Sequence, residues 1–422
     1  MTYPHKVKDI SRAEEGRKKI KWAREWMPVL RKIREKFEKE KPFEGLKVGM
    51  ALHLEKKTAV LVETIVAGGA EAAITSCNPL TTDDDVAAAV ADFAQVYAWA
   101  NETEEEYYQN LNTVLDFKPD FVIDDGADLM TLLHTKRKEL LPNVFGGNEE
   151  TTTGVIRLKN MAKEGILQFP VMAVNDALMK HHFDNRYGTG QSAIEGILRA
   201  TNRLLSGATV VVAGYGWVGR GIARNLQGLK ATVIVVEVDP IRALEALYDG
   251  FIVTNMLDAL QKYKPDFVIT ATGDRDVVRK EHFEVAPDGL ILANAGHFNV
   301  EIAVDQLEEL AIKKNRVKDC VDEYVLPNGK RLFLLSEGRL VNLARPCGQG
   351  HPIEVMDYSF AVQALSLEYL VKNKGKLEPK VYTPPREIDE EIARIKLNSL
   401  GIKLEELTEV QKKYLADWKS GT

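Results

Sequence analysis

Short apolar runs alternate with longer amphipathic stretches along most of the chain. Residues 46–52 (LKVGMAL), 70–77 (AEAAITSC), 119–126 (PDFVIDDG) and 169–176 (FPVMAVND) form a first series. A second begins near residue 208 with ATVVVAG and continues through ATVIVVEVD (231–239), PDFVITATG (265–273), GLILANAG (289–296) and RLVNLA (339–344). Such runs have strand length, and the stretches between them have helical spacing. Strand–helix alternation predicts parallel sheets covered by helices, so the fold class is α/β with two doubly wound parallel-sheet units. The stretch SAIEGILRATNRLL (192–205) predicts a helix joining the two series. Residues 12–40 predict one helix with Trp22, Trp26, Val29, Leu30, Ile33 and Phe37 on a single apolar stripe. The pattern turns helical again after His351. The charged stretch after the Pro-Pro break of VYTPPREIDEEIARIKL reads as a linker and a helical arm.

Composition narrows the function classes. With 422 residues, 45% hydrophobic and 28% charged, the chain suits two or three globular domains. A net charge of −6 carries no nucleic-acid footprint. No apolar run approaches the ~20 residues of a membrane span, and MTYPHKVKDI has no apolar signal core. Cys77, Cys320 and Cys347 are scattered without a CxxC, so neither a disulfide framework nor a metal centre is expected. The expected location is cytoplasmic.

Gly214-Tyr-Gly216-Trp-Val218-Gly219 follows a β-branched strand and opens a helix, and Glu237 stands 18 residues after Gly219 at the end of the next strand. Gly214 makes the tight turn, Gly216 lets the backbone approach a pyrophosphate, and Gly219 permits close helix–strand contact. A carboxylate at 237 suits the adenosine ribose hydroxyls and repels a 2′-phosphate, so the cofactor read here is NAD.

In the first series, four strand ends carry polar groups: His53; Asp124, Asp125 and Asp128; Glu149 and Glu150; and Lys180, Asp184 and Asn185. Ligands of open α/β sheets bind outside the carboxyl ends of the strands, so this set predicts a pocket for a hydroxyl-rich ligand. His297 in NAGHFN and His351 in CGQGHP add imidazoles for acid–base work.

Taken together, EETTTG, KHHFDN, VAGYGWVGRG, NAGHFN and GRLVNLA…GHP resemble the S-adenosyl-L-homocysteine hydrolase (adenosylhomocysteinase) family in order and spacing, from about residue 45 to 415. The resemblance implies a substrate domain (1–188 and 352–384) split by an inserted Rossmann NAD domain (189–351). It also implies a C-terminal arm (385–422) that reaches a neighbour in a tetramer. The implied reaction oxidises the ribose 3′-hydroxyl by tightly bound NAD, which acidifies C4′–H. Homocysteine is then eliminated from C5′, water adds, and the hydride returns, clearing a product that inhibits methyltransferases. By resemblance Lys180 and Asp184 handle the 3′-hydroxyl proton, with Lys180 partly neutral through burial or nearby positive charge. Glu150 binds the ribose hydroxyls, Asp125 lies near C4′ and C5′, and His53 and His297 surround C5′. His351 stands at the cleft gate. Thr151, Thr152, Thr153, Asn185 and Asn342 contact NAD.

Four departures stand out. Thr189 occupies a position held by Cys in many members, and the segment before His351 carries extra residues (RPCGQ). The chain stops at ADWKSGT, with Lys419 the candidate for the lysine of the usual tail. After His53, the usual Thr and Glu are replaced by Glu55 and Lys57. Glu55 suits an adenine N6 amine, and Glu55 with Lys57 suits hypoxanthine. S-adenosylhomocysteine is the expected substrate and S-inosylhomocysteine the alternative. An ordinary NAD-dependent dehydrogenase and a non-catalytic NAD-binding protein are competing readings.

Overall fold

The computed structural model describes residues 2–419. Ser420, Gly421 and Thr422, the end of the ADWKSGT tail, lie outside the described residues. Two eight-stranded sheets organise the chain. In the first, all strands are parallel, in the order His5–Val7, Gln95–Ala98, Glu71–Thr75, Lys47–Ala51, Phe121–Asp124, Gly146–Glu149, Val171–Ala173 and Val381–Tyr382. The central strand FVID is buried throughout because helices cover both faces, which is why it reads as a continuous apolar run rather than an alternation. Register aligns the strand ends. Ala51 pairs with Asp124, Asp124 with Glu149, and Glu149 with Ala173, so the polar residues just beyond these strands emerge at one level on one rim.

The second sheet runs Ile252–Val253, Thr232–Val236, Thr209–Ala213, Phe267–Thr270, Leu290–Asn294, Arg331–Leu335, Val321–Val325 and Lys313–Lys318; Val321–Val325 is antiparallel to both of its neighbours, and the other pairs are parallel. Ala213 pairs with Thr270 and Thr270 with Asn294, so the Gly214 turn and the loop carrying His297 share a rim.

Three expectations are corrected. RLVNLA is not a strand: positive φ at Glu337 and Gly338 ends the extended chain, and only a bridge from Leu340 to Asn294 remains. The strand next to Leu290–Asn294 is instead RLFLL, Arg331–Leu335. The single N-terminal helix is two, Ala13–Glu25 and Pro28–Glu40, because Pro28 cannot donate to a continuing ladder and starts a new helix. The phase change at that break takes Trp22 and Trp26 off the buried stripe; they are 59% and 48% exposed and pack edge to face on each other. The joining helix spans Thr189–Thr201.

The helix Arg386–Ser399 sits against Pro28–Glu40 and Ile353–Lys372. Buried Asp389 accepts from the Leu178 and Met179 amides at 3.1 and 2.8 Å, which fixes the start of the segment bearing Lys180. Beyond that helix, the described residues 400–419 are exposed along their whole length. Among the described residues no helix is long and apolar enough to cross a membrane.

Candidate active site

The two rims face each other across a cavity of about 880 Å³ lined from both units. Every residue assigned a part in catalysis, substrate binding or NAD binding from the sequence lines it except Gly219, which lies beneath the glycine turn. Asp124, Asp128 and Glu149, singled out only as polar strand ends, stand behind the wall: Asp124 and Glu149 accept backbone amides, and Asp128 pairs with Arg157.

Lys180 stands at one centre. It ends a short helical turn, and the widened π-helical segment His181–Gly188 comes next, folding Asp184 and Asn185 back beside it. Such widened turns concentrate at functional sites. Lys180 Nζ donates to Asn185 Oδ1 at 2.8 Å and lies 3.6 Å from Glu150 and 3.7 Å from Asp184. In this structure the balance at the lysine runs opposite to the expected lowering. Burial does push Lys180 down, but Asp184, Glu150 and Asp125 outweigh it and hold the ammonium form above its ordinary value. Burial, opposed by Lys180, leaves Glu150 at about 7. Glu150 also accepts from Ser359 Oγ at 2.5 Å and Gln363 Nε2 at 2.6 Å. Asp184 stays well below the usual carboxylate range: burial opposes this, but Lys180 and His351 prevail. The His351 Nδ1 atom is 2.8 Å from Asp184, and Nε2 is 3.1 Å from the Thr189 hydroxyl, so the histidine expected at the gate is seated between these two groups.

Asp125 forms the second centre. His53 Nε2 and His297 Nδ1 each lie 3.6 Å from a different carboxylate oxygen, one imidazole from each unit. Gly126, at φ +101°, makes this approach possible, because a Cβ there would overlap the His297 ring. Burial first, then His351, lowers His53 to about 3; burial and His53 lower His297 to about 4, against Asp125. Burial raises Asp125, and His297 and Lys180 oppose it. At neutral pH the centre is therefore an acid of raised pKa between two neutral imidazoles.

The glycine turn fits the expected NAD. Gly214 has φ +96°, and a Cβ on Gly219 would overlap the Gly214 carbonyl, so the helix Trp217–Gly228 starts against the turn. A Cβ on Gly216 would meet only Arg242, at 3.6 Å, leaving the backbone open to a ligand. Glu237 accepts from the amides of Tyr215, Val238 and Asp239 at 2.6, 2.7 and 3.0 Å, which fixes its carboxylate at the rim. Asn342 Oδ1 is buried without a hydrogen-bond partner, an acceptor waiting for a donor. Of the threonines, Thr151 is engaged as a helix cap, accepting from Gly154 and donating to Glu149. The Thr153 hydroxyl would stand 3.9 Å from a Cβ on Gly273 of the second unit. The Asn185 amide accepts from Lys180 and gives one of its two N–H donors to Asn175.

Leu52, Leu343, Met356 and Phe360 add apolar wall to the cavity. Glu55 and Lys57 line the same cavity, 3% and 1% exposed, with Lys57 Nζ 3.1 Å from Glu55 Oε2.

Several contributors escape the sequence pattern. Ser359 and Gln363, four residues apart on Ile353–Lys372, clamp Glu150; the available signal was a helix with five buried polar residues, Asp357, Ser359, Gln363, Ser366 and Glu368. Thr81 holds His53 Nδ1 at 2.8 Å. The Cys77 thiol lies within 4.8 Å of the donor atoms of His53 and Asp125.

The chain matches the family model described as S-adenosyl-L-homocysteine hydrolase over residues 4–144, and the model of that family's NAD binding domain over 185–349. It is 62% identical to a protein of Methanocaldococcus jannaschii named S-inosyl-L-homocysteine hydrolase, over 99% of this chain and 100% of that one. Identity to proteins named adenosylhomocysteinase is 57% in Aquifex aeolicus (99% of both chains) and 57% in Pyrococcus abyssi (99% of this chain, 98% of that one).

Proposed function

Because the chain belongs to the S-adenosyl-L-homocysteine hydrolase family, we propose that it hydrolyses S-adenosyl-L-homocysteine reversibly to adenosine and L-homocysteine. The observation that carries this reading is the pair of proton-handling centres, Lys180 with its carboxylates and Asp125 with its imidazoles, in one cavity with the glycine turn. NAD, when bound, supplies the oxidation and the later reduction at the ribose 3′ carbon. Gly214, Gly216, Val218, Gly219 and Glu237 hold its adenosine and pyrophosphate half. Thr151, Thr152, Thr153, Asn185 and Asn342 would hold its nicotinamide half.

Every other step belongs to the chain. Lys180 hydrogen-bonds the 3′ oxygen and relays its proton into the carboxylate set of Asp184 and Glu150, which also bind the ribose hydroxyls. A lysine held charged acts through that relay, exchanging one proton for another, rather than as a free amine. With the 3′ carbon a ketone, Asp125 removes the C4′ proton, and the C5′–sulfur bond breaks. The leaving thiolate takes a proton delivered through His53 or His297. Water then adds its oxygen to C5′ as C4′ regains a proton, and reduction of the ketone completes a redox-neutral cycle. The neutral imidazoles suit both directions, since each offers one donor and one acceptor. Closure of the two units over the sugar keeps water from the ketone.

Glu55 reads the base. Its carboxylate is acceptor-only, and the three N–H donors of Lys57 already face Glu55 and two backbone carbonyls. An adenine N6 amine satisfies such an edge, whereas hypoxanthine O6 needs a donor. The second reading, S-inosyl-L-homocysteine, is favoured by one contact: Lys57 holds Gln349 O at only 3.3 Å, a bond it can exchange for O6. It is also the substrate named for the Methanocaldococcus jannaschii relative. Thiol release by the NAD-loaded protein from each thioether decides between them. A tenfold kcat/KM preference for the adenine form is expected, and a tenfold preference for the inosine form overturns it.

The protein works in the cytoplasm as a homotetramer. Its oligomerising arm is the 385–422 segment, whose part beyond residue 400 exposes Leu404, Val410, Leu415 and Trp418.

A further inference from the structure

The loop 345–351 belongs to the second unit yet is fastened to the first. At its start, Arg345 N donates to Leu80 O at 2.9 Å and its guanidinium lies 3.4 Å from Asp83. At its end, His351 O and Gln349 O accept from Lys57 Nζ at 2.7 and 3.3 Å. Lys57 is 1% exposed, and its third partner is Glu55 at 3.1 Å. An ammonium has three N–H donors; two of them are given to carbonyls on the opposite unit, and the Glu55 carboxylate stands beside it as an ion-pair partner. Gly350 lets this happen: it has φ +74°, and a Cβ there would stand 3.1 Å from Lys57 Nζ and from Leu343.

We propose that Lys57 is a positioning residue that fastens the loop 345–351 over the base end of the cavity, so that His351 is set on Asp184 only when both loop carbonyls reach the lysine. The inference rests on the hydrolase reading for the identity of the ligand. Closing the loop buries two carbonyls that water serves while it is open, and a buried carbonyl needs a donor. Lys57 supplies both bonds from one atom beside Glu55. Base recognition and loop closure thus share one ammonium: a base edge that draws Glu55 away leaves Lys57 to the loop, and one that draws Lys57 loosens the loop.

The test uses the NAD-loaded full chain with adenosine, comparing wild type, Lys57→Met and Lys57→Gln. Methionine keeps length and burial but has no donor; glutamine restores N–H donors without charge. Backbone hydrogen exchange across 343–352 is read by mass spectrometry, with the strand 209–213 as an internal reference. The expected result is at least tenfold faster exchange of the loop in Lys57→Met, an intermediate rate in Lys57→Gln, and an unchanged reference strand. In turnover, Lys57→Met should also leave reduced dinucleotide stranded on the enzyme after at least tenfold fewer cycles, with 3′-oxidised nucleoside in the filtrate. Should Lys57→Met fail to fold, Lys57→Gln alone decides. Loop exchange equal to wild type in the folded variants overturns the proposal, even if kcat/KM falls, because Lys57 then serves the base only. A wild-type protein that releases no thiol from either nucleoside thioether would defeat the hydrolase reading and leave the exchange result standing.

Discussion

Replacing Asp125 by Asn separates the two proton-handling centres. The amide has the size of the carboxylate and keeps its place between His53 and His297, 3.6 Å from each. What disappears is the base at C4′. Loss of a positioned general base costs about 10²–10⁴ in rate, or about 3–5 kcal/mol of barrier. The oxidation should suffer far less. Among the groups that hold Lys180 charged, Asp125 ranks behind Asp184 and Glu150, and both remain in Asp125→Asn at 3.7 and 3.6 Å from the lysine. The expected change in the first step is therefore within about tenfold, the size of a ~1.4 kcal/mol effect. The assay mixes NAD-loaded protein rapidly with the nucleoside thioether. It follows the absorbance band of reduced nicotinamide and, in parallel, thiol release with a thiol-reactive dye. In the variant the band should rise within tenfold of the wild-type rate and persist, while thiol release slows by 10²–10⁴. Equal losses in both signals would remove the assignment of Asp125 to elimination and make it a structural member of the whole site.

Further outcomes come from the same geometry. Lys180→Ala should abolish the reduced-nicotinamide band with adenosine while NAD stays bound, as read by mass; a persistent band would show that another group relays the 3′ proton. Gly126→Ala puts a Cβ into the His297 ring and a side chain at φ +101°; backbone strain of about 1–3 kcal/mol and a displaced His297 should lower both denaturation midpoint and thiol release, and wild-type values in both would contradict the close approach. Burial pushes Glu102 up to about 8 from 4.5, even though Asn110 donates to it at 2.7 Å. Its folded pKa is raised, so the chain binds a proton on folding, and stability falls by about 1.4 kcal/mol per pH unit as pH rises between those values. Glu102→Gln should therefore leave stability unchanged below pH 4.5 and raise it progressively up to about 8, levelling off above, in denaturant titrations across that range; a gain largest in acid would reverse the sign and refute the burial argument.

Much of the architecture is legible along the chain because the sheets are parallel and covered on both faces. Continuous runs such as FVID stand out against amphipathic helices, and a polar residue at the end of such a run can only emerge at the sheet rim. His53, Asp125, Glu150 and Lys180 declare themselves that way, and matched register then brings them together. The glycine turn is legible for a local reason: Gly214 and Gly219 answer to contacts within the turn itself. Contacts made across the chain are not. Asp184, four residues on, is in view, but nothing near Lys180 in sequence reveals that Glu150 and Asp125 join it against burial, so the sequence suggests a lowered pKa where the structure points upward. Ser359 and Gln363 hide in a helix whose apolar residues dominate its pattern, and Lys57 owes two of its three partners to a loop nearly three hundred residues away. RLVNLA misleads because its apolar spacing matches a strand, while the left-handed turn just before it turns Asn342 toward the cavity.

The central claim is that a transient ketone at C3′ is what makes the C4′ proton removable. It is tested most directly by incubating the NAD-loaded protein with S-adenosyl-L-homocysteine in deuterated water and reading C4′ of the recovered nucleosides by NMR. The account predicts deuterium at C4′ of the adenosine formed and, as the reaction reverses, of the remaining thioether, with no net reduced dinucleotide at the end. Thiol released at the full rate with C4′ still carrying only its original proton would contradict it.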